Sequence, residues 1–139
     1  PECTDEETVC ISENDPYGLH AIQVLLGCSI GKGNLLFHMT GKQAFSFYHR
    51  GTGKSVRLVL RDKPGEMSRE ESFQYYQSRE PEELFGVKPT RIALAERARL
   101  FDSSTCAGWG ERTGANWVRM HDGKPLCPDC YPAYDRFRV

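Results

Sequence analysis

The segment 15–36 constrains the fold most, because it joins a capped helix, a glycine-rich turn and the start of a strand. Asp15 is a favourable N-cap, and Pro16 suits the first helical position, where an N–H has no partner inside the helix. Gly27 is expected to end the helix, since glycine readily adopts the left-handed conformation found after helix C-termini. The segment therefore predicts a helix over residues 16–26 that turns sharply into a strand.

This helix is expected to bury one face and expose the other. Leu19, Ile22 and Leu26 recur at helical spacing and predict an apolar stripe, while His20 falls outside it. A short helix with a single apolar stripe needs a sheet or another helix to cover that stripe.

Short segments rich in β-branched, aromatic and aliphatic residues surround the helix and predict strands. They cover residues 8–12, 35–37, 44–49 and 55–61. In the first of them Cys10 is expected to be buried as a small hydrophobe. A strand, a helix and then three strands predict an α+β fold in which a mixed four-stranded sheet carries the helix on one face.

The rest of the chain predicts two short helices, a linker and a separate tail. Ser68 and Glu71 form a capping box, and residues 81–85 predict a second helix closed by Gly86. Residues 92–100 are compatible with a helix, but their position between Pro89 and the cysteines favours an extended linker. The predicted organisation is a domain over residues 1–88, a linker over 89–104 and a tail over 105–139.

Three cysteines of the tail have the spacing of metal ligands. Cys127 and Cys130 are separated by two residues at the expected start of a helix, whose N–H groups would stabilise their thiolates. Cys106 lies about twenty residues upstream, and a hairpin around Gly123 is expected between them. The pattern predicts a small treble-clef-like zinc ribbon in which Cys106, Cys127 and Cys130 hold one zinc ion.

The predicted zinc site is one ligand short. Trp109 occupies the position where a second Cys-x-x-Cys pair would have its second cysteine, and an indole cannot bind zinc. The fourth position is left to water, an outside group or His121. The alternative is a metal-free ribbon in which Trp109 packs where the ion would be.

Composition and charge favour a cytoplasmic protein with reduced thiols. The chain has six cysteines and 39% hydrophobic residues, with no apolar run near the ~20 residues of a membrane span and no leader-like start. Residues 17–63 carry seven Lys or Arg against one Asp. This basic block is either an anion-binding surface or the solvated face of a sheet, and the pI near 6.5 argues against nucleic-acid binding.

Several stretches resemble the FmdE/FwdE-like family of formylmethanofuran dehydrogenase subunits. They are GLHAIQVLLGCSIGKGNLLF at 18–37, the runs at 41–42, 45–48 and 52–54, Arg57, and in the tail 97–101, 123–127 and Cys130. The resemblance covers residues 8–62 and 82–132. Family members begin with a helix that bears His-Gly-His and Cys-Pro-Gly motifs, and we expect this chain to lack it.

The resemblance implies a second metal site at the head of the opening helix, in an altered form. Tyr17 matches a family cysteine, and His20 matches a neighbouring acidic residue. Cys28 is retained and could line the same cleft, while Lys32 could meet an anionic ligand. Because a phenol ionises only near pH ~10, Tyr17 is a poor substitute for a thiolate, and we expect this site to be empty or altered.

Three functions remain open at this point. The first is a zinc-binding accessory or stand-alone relative of the complex that handles formylmethanofuran with a molybdenum or tungsten pterin cofactor. The second is a metal-dependent enzyme with a cleft near Tyr17, His20 and Cys28, and the third is a zinc-ribbon module that binds nucleic acid. Without the family's first helix, apolar surface would be left uncovered, so a homodimer or a complex with another protein is expected.

Overall fold

The computed structural model describes residues 7–15, 18–134 and 136. The chain divides into two compact units, Pro1–Ala98 and Arg99–Val139. The boundary between them falls inside the linker predicted over residues 89–104. None of the helices within these described ranges is long and apolar enough to cross a membrane.

The first unit is an α+β domain built on a five-stranded mixed sheet. Its elements are β1 (Thr8–Ser12), α1 (Gly18–Leu26), β2 (Leu35–Phe37), β3 (Ala44–His49), β4 (Lys54–Leu60), α2 (Arg69–Ser78), α3 (Pro81–Leu84) and β5 (Phe85–Lys88). The strand order is β2-β1-β3-β4-β5, in which only β1 and β2 are parallel. Parallel neighbours need a crossover connection, and α1 lies within that connection. The predicted α+β class with a mixed sheet and a packed helix is confirmed.

The helix α1 packs on one face of the sheet. Leu19 and Ile22 are buried in one cluster with Cys10, Cys28 and Leu35, and Phe45 and Phe47 pack against this cluster. Because strand residues alternate between faces, the neighbours of Cys10 in β1 point the other way. They form a second cluster made of Val9, Ile11 and Tyr48, with Leu36 and Ile92 against it.

The predicted burial of Leu26 is wrong. Leu19 and Ile22 are buried and His20 is exposed as expected, but Leu26 is 37% exposed. Gly27 follows with a φ of 64°, which turns the chain at the end of α1. Cys28, which is fully buried, then takes the next place in the core instead of Leu26.

The fifth strand was not predicted. Residues 85–88 leave the helical conformation directly after α3, and Gly86 pairs with Val59 of β4 rather than closing a helix. A four-residue strand carries too little periodicity to be recognised, so only its partner β4 defines it. The capping box is confirmed, since the Ser68 hydroxyl accepts the Glu71 N–H at 3.2 Å and the Glu71 carboxylate accepts the Ser68 N–H at 2.8 Å.

The segment 89–98 is extended, as predicted, but it is held against the first unit. The Tyr48 hydroxyl donates to the Ile92 carbonyl, and the Arg50 guanidinium donates to the Ala95 carbonyl at 2.8 Å. Gly33 approaches Ala98 so closely that a Cβ on this glycine would lie 2.5 Å from the Ala98 Cβ.

The second unit consists of two small hairpins. Its elements are β6 (Ser103–Thr105), β7 (Arg112–Gly114), a 3-10 helix (Ala115–Trp117), β8 (Arg119–His121) and β9 (Lys124–Leu126). The strands pair β6 with β7 and β8 with β9. The hairpin around Gly123 is therefore confirmed. The helix predicted to start at Cys127 is wrong, because a turn follows there and the described residues 127–134 contain no helix.

Candidate metal centre

Two loops of the second unit bring three thiols together. Cys106 follows β6, and Cys127 and Cys130 follow β9. Their sulfur atoms all lie within 4.8 Å of one another, and they are the one group of potential metal ligands found in the described part of the chain. The sequence predicted these three residues as ligands, and the structure places them as a single cluster.

The two loops close with the same turn. In the first loop the Gly110 N–H donates to the Cys106 carbonyl at 2.8 Å, and in the second the Tyr131 N–H donates to the Cys127 carbonyl at 2.9 Å. Counted from the first cysteine of each loop, Trp109 therefore takes the place that Cys130 has in the second loop. Gly110 has a φ of 74°, a left-handed conformation that glycine adopts without strain.

Backbone N–H groups surround the sulfur of Cys106. The Cys127 N–H lies 3.3 Å from this sulfur. Hydrogen bonds from the backbone of Cys127 and Trp109, with a smaller contribution from Gly108, lower the pKa of the Cys106 thiol below its ordinary value. Such N–H groups stabilise a thiolate, which is the form of cysteine that binds metal ions.

The thiol of Cys130 behaves in the opposite way when no ion is present. Burial, and then its hydrogen bonds with Cys106 and Cys127, raise its pKa. Three thiols in this space cannot all ionise unless a cation neutralises them, because neighbouring like charges repel each other. A bound divalent cation supplies that charge, so the donor set fits a soft or borderline-soft metal ion such as zinc.

A glycine permits the close packing of the two loops. A Cβ on Gly108 would lie 2.5 Å from the Cys130 sulfur and 3.7 Å from the Cys106 sulfur. Any side chain at this position would push the thiols apart. This role of Gly108 was not predicted, although a glycine between Cys106 and Trp109 was the available signal.

Neither residue considered for the fourth position joins the cluster. Trp109 is 68% exposed, so its ring does not pack where the ion would sit. The His121 ring makes an edge-to-face contact with Tyr131, with centroids 5.9 Å apart, and is not part of the thiol group.

The residues predicted at the opening helix are not assembled into one site in the part of the chain that the structure describes. His20 is exposed and lines a cleft of about 310 Å³ together with Asp15 and Phe37. Cys28 lies in the core, with its sulfur 3.5 Å from the Thr8 carbonyl. Tyr17 lies outside the described residues.

The glycine-rich turn after α1 is held by Asn34. The side chain of Asn34 accepts the Ser29 N–H at 2.8 Å and donates to the Thr8 carbonyl at 3.1 Å. Lys32, the predicted anion contact, is exposed on this turn, and its N–H donates to the Ser29 hydroxyl at 3.2 Å. The turn therefore fixes the start of β2.

Cys10 is confirmed as a buried residue of the core. Burial, and then the neighbouring Cys28, raise the pKa of Cys10 to about 12, so its thiol stays protonated at neutral pH. None of the five cysteines that the structure describes forms a disulfide.

A buried ion pair in the first unit was not predicted. The Arg57 guanidinium donates to both carboxylate oxygens of Glu13, at 2.6 and 3.0 Å, and the Thr40 hydroxyl donates to the same carboxylate at 3.0 Å. Both partners of the pair are buried. The sequence shows Arg57 only as an alternating residue of β4, and its partner lies 44 positions away.

Fold and site together define a small α+β protein whose tail carries a three-thiol cluster. Residues 1–98 match a family model described as FmdE, molybdenum formylmethanofuran dehydrogenase operon. Because the match spans well over half of the 139 residues, the chain belongs to the FmdE family. The resemblance predicted from the residues is thereby confirmed.

A solved structure shares this fold. It is the crystal structure of a tungsten formylmethanofuran dehydrogenase FmdE-like protein from Syntrophus aciditrophicus, 23% identical, with a TM-score of 0.61. The match covers 88% of this chain and 70% of that protein. No curated protein matches the chain.

Proposed function

We propose that this FmdE-family protein binds one zinc ion in its tail through Cys106, Cys127 and Cys130. The carrying observation is that Cys106 is the only buried residue among the described residues of the second unit. A unit of this size without an apolar core needs another source of stability, and a structural metal ion is a common one. Zinc binding to preformed thiolates would then supply the folding free energy of the tail.

Three thiolates favour zinc over harder cations. Cysteine sulfur suits zinc and other soft or borderline ions, whereas magnesium and calcium prefer oxygen. In a tetrahedral site the zinc–sulfur distance is ~2.3 Å, and three sulfur atoms within 4.8 Å of one another leave room for such an ion.

The zinc proposal is tested by metal analysis of untagged protein purified without chelator. We expect about one zinc per chain in the wild type. A Cys106→Ser variant is expected to lose most of it, and a Cys28→Ser variant, altered in the other unit, is expected to keep it. Wild-type protein that retains no zinc, copper or iron after dialysis against trace zinc would contradict the proposal.

We further propose that the protein is an accessory or stand-alone relative of a molybdenum or tungsten oxidoreductase system. The support is membership of a family described by the molybdenum formylmethanofuran dehydrogenase operon. Cysteines outside disulfides are typical of a reducing compartment, which favours a cytoplasmic location. Co-purification with a molybdenum or tungsten protein from the native source tests this role, and recovery of the chain with no such protein under gentle lysis would argue against it.

The exposed end of α1 supports a proposal that protein covers it. Val24 and Leu25 are 81% and 79% exposed, and Ile30 is exposed nearby in sequence. We propose that a second copy of this chain or another protein packs there, because apolar surface of this kind tends to be buried by association. Light scattering of the wild type and of Leu25→Glu tests this, and a wild-type monomer at micromolar concentration would contradict self-association.

A further inference from the structure

We propose that the zinc centre has an open fourth coordination position beside Trp109 and that an external thiolate binds there. The inference rests on the proposed zinc ion and adds the class of ligand that completes it. It makes the tail a docking point for a sulfur donor, supplied either by a small thiol or by a cysteine of another protein molecule.

The equivalence of the two loops locates the open position. Both loops close by a hydrogen bond from the fifth residue to the first, Gly110 to Cys106 and Tyr131 to Cys127. The fourth residue of the second loop is Cys130, which points its sulfur into the cluster. The fourth residue of the first loop is Trp109, so the corner of the tetrahedron on that side has no sulfur from its own loop.

The side chain of Trp109 leaves this corner accessible. Its backbone still helps to stabilise the Cys106 sulfur, so the loop is shaped as a metal-binding turn. Its indole ring is mostly in solvent, however, and offers no lone pair to a metal ion. The loop therefore keeps the geometry of a ligand turn and lacks one ligand.

The described residues provide no replacement. The cluster contains three ligand groups, and no histidine or carboxylate of the described ranges joins it. His121 lies against the Tyr131 ring, and its Nε2 is 3.5 Å from the Asp122 carboxylate. A zinc ion with three protein ligands takes its fourth ligand from outside, which is the arrangement of zinc sites that bind exchangeable ligands.

A thiolate is the ligand that this position suits best. The second loop shows that the corresponding position accommodates a cysteine sulfur, and four thiolates form a complete and stable donor set for zinc. A neutral water completes the site when no thiol is present. Thiolate binding then replaces one Zn–O bond by a Zn–S bond, releases the water and transfers the thiol proton to solvent.

Cobalt substitution tests the proposal, because cobalt(II) absorbs visible and near-ultraviolet light according to its ligands. The full-length protein is loaded with cobalt(II) and titrated with glutathione. We expect the sulfur-to-cobalt absorption to rise by about one third, as the sulfur count changes from three to four. In Trp109→Cys the position is filled from within, so the starting spectrum should show four sulfur ligands and glutathione should change nothing. Trp109→Phe, which adds no ligand, should respond like the wild type.

The titration separates the two sources of the thiolate. A rise on adding glutathione to dilute protein supports a small thiol. A four-sulfur spectrum that appears only when the protein is concentrated supports a cysteine of a second copy.

The remaining outcomes overturn the proposal. They are an unchanged wild-type spectrum under both conditions, an equal response in Trp109→Cys, and four sulfur ligands in dilute wild type without added thiol. In the last case a Cys3→Ser variant identifies an internal ligand outside the described residues. Failure of the wild type to bind cobalt or zinc at all is a different result, because it overturns the zinc centre itself.

Discussion

At the scale of single residues, the contact between Gly108 and Cys130 decides whether three sulfur atoms can share one ion. We expect Gly108→Ala to lower zinc affinity by roughly 10-fold or more, because the added Cβ would lie 2.5 Å from the Cys130 sulfur and displace it. Competition with a chromophoric chelator measures the affinity. The neighbouring Ala107→Ser, whose side chain is exposed, should leave the affinity unchanged. Equal affinities for the two variants would show that the contact does not matter.

The Glu13–Arg57 pair is the residue-scale feature with the largest expected effect on the first unit. Truncating one partner of a buried ion pair leaves the other charge buried and uncompensated. We expect Glu13→Gln to lower the free energy of unfolding at pH 7 by roughly 3 kcal/mol, measured by urea denaturation. The matched variant Glu83→Gln alters an exposed pair with Arg79 and should have little effect.

The same pair predicts a dependence of stability on pH. The hydrogen bond from Arg57, reinforced by Thr40, holds the pKa of the Glu13 carboxyl below its usual value. A carboxyl with a lowered pKa stabilises the folded state above its unfolded pKa, and this contribution is lost as the pH falls through the folded value. Below about pH 4.5 the wild type should therefore lose more stability than Glu13→Gln, and parallel pH profiles would contradict this assignment.

At the scale of elements, local patterns were sufficient for what they encode directly. The stripe of Leu19 and Ile22 predicted the buried face of α1, and alternating residues predicted strands β1 to β4. Strand β5 could not be predicted, since four residues carry no clear periodicity and their conformation depends on β4. The Cys-x-x-Cys spacing predicted the thiol cluster, whereas the turn that replaces the expected helix after Cys127 depends on contacts that the sequence does not display.

The extended segment 89–98 gives a prediction at this scale. Gly33→Ala should release this segment, because Gly33 has a φ of 72° and its new Cβ would meet Ala98. Gly41→Ala is the matched control, since Gly41 has a φ of 76° but its added Cβ would meet no neighbouring atom within 4 Å. Both variants bear backbone strain of about 1 kcal/mol, and only Gly33→Ala should raise hydrogen exchange around Ile92 and Ala95. The same exchange in both variants would show that Ala98 does not hold the segment.

At the scale of the whole molecule, the two units are stabilised in different ways. The first buries apolar clusters on the sheet, while the described residues of the second bury only Cys106. Chelation of zinc, or Cys127→Ser, should therefore expose residues 99–139 to protease and leave residues 7–98 protected. Cys28→Ala should do the reverse, because it removes a buried side chain from the first unit and no ligand from the second. Mass spectrometry of the early cleavage products distinguishes these patterns.

The central claim is that three cysteines of the tail hold one zinc ion. X-ray absorption at the zinc edge tests it most directly, since it counts the ligands and measures their distances in the untagged protein. We predict one zinc per chain with three sulfur neighbours at ~2.3 Å and one lighter neighbour when no thiol is added. Zinc surrounded only by nitrogen and oxygen, or the same three-sulfur signal in Cys127→Ser, would contradict it.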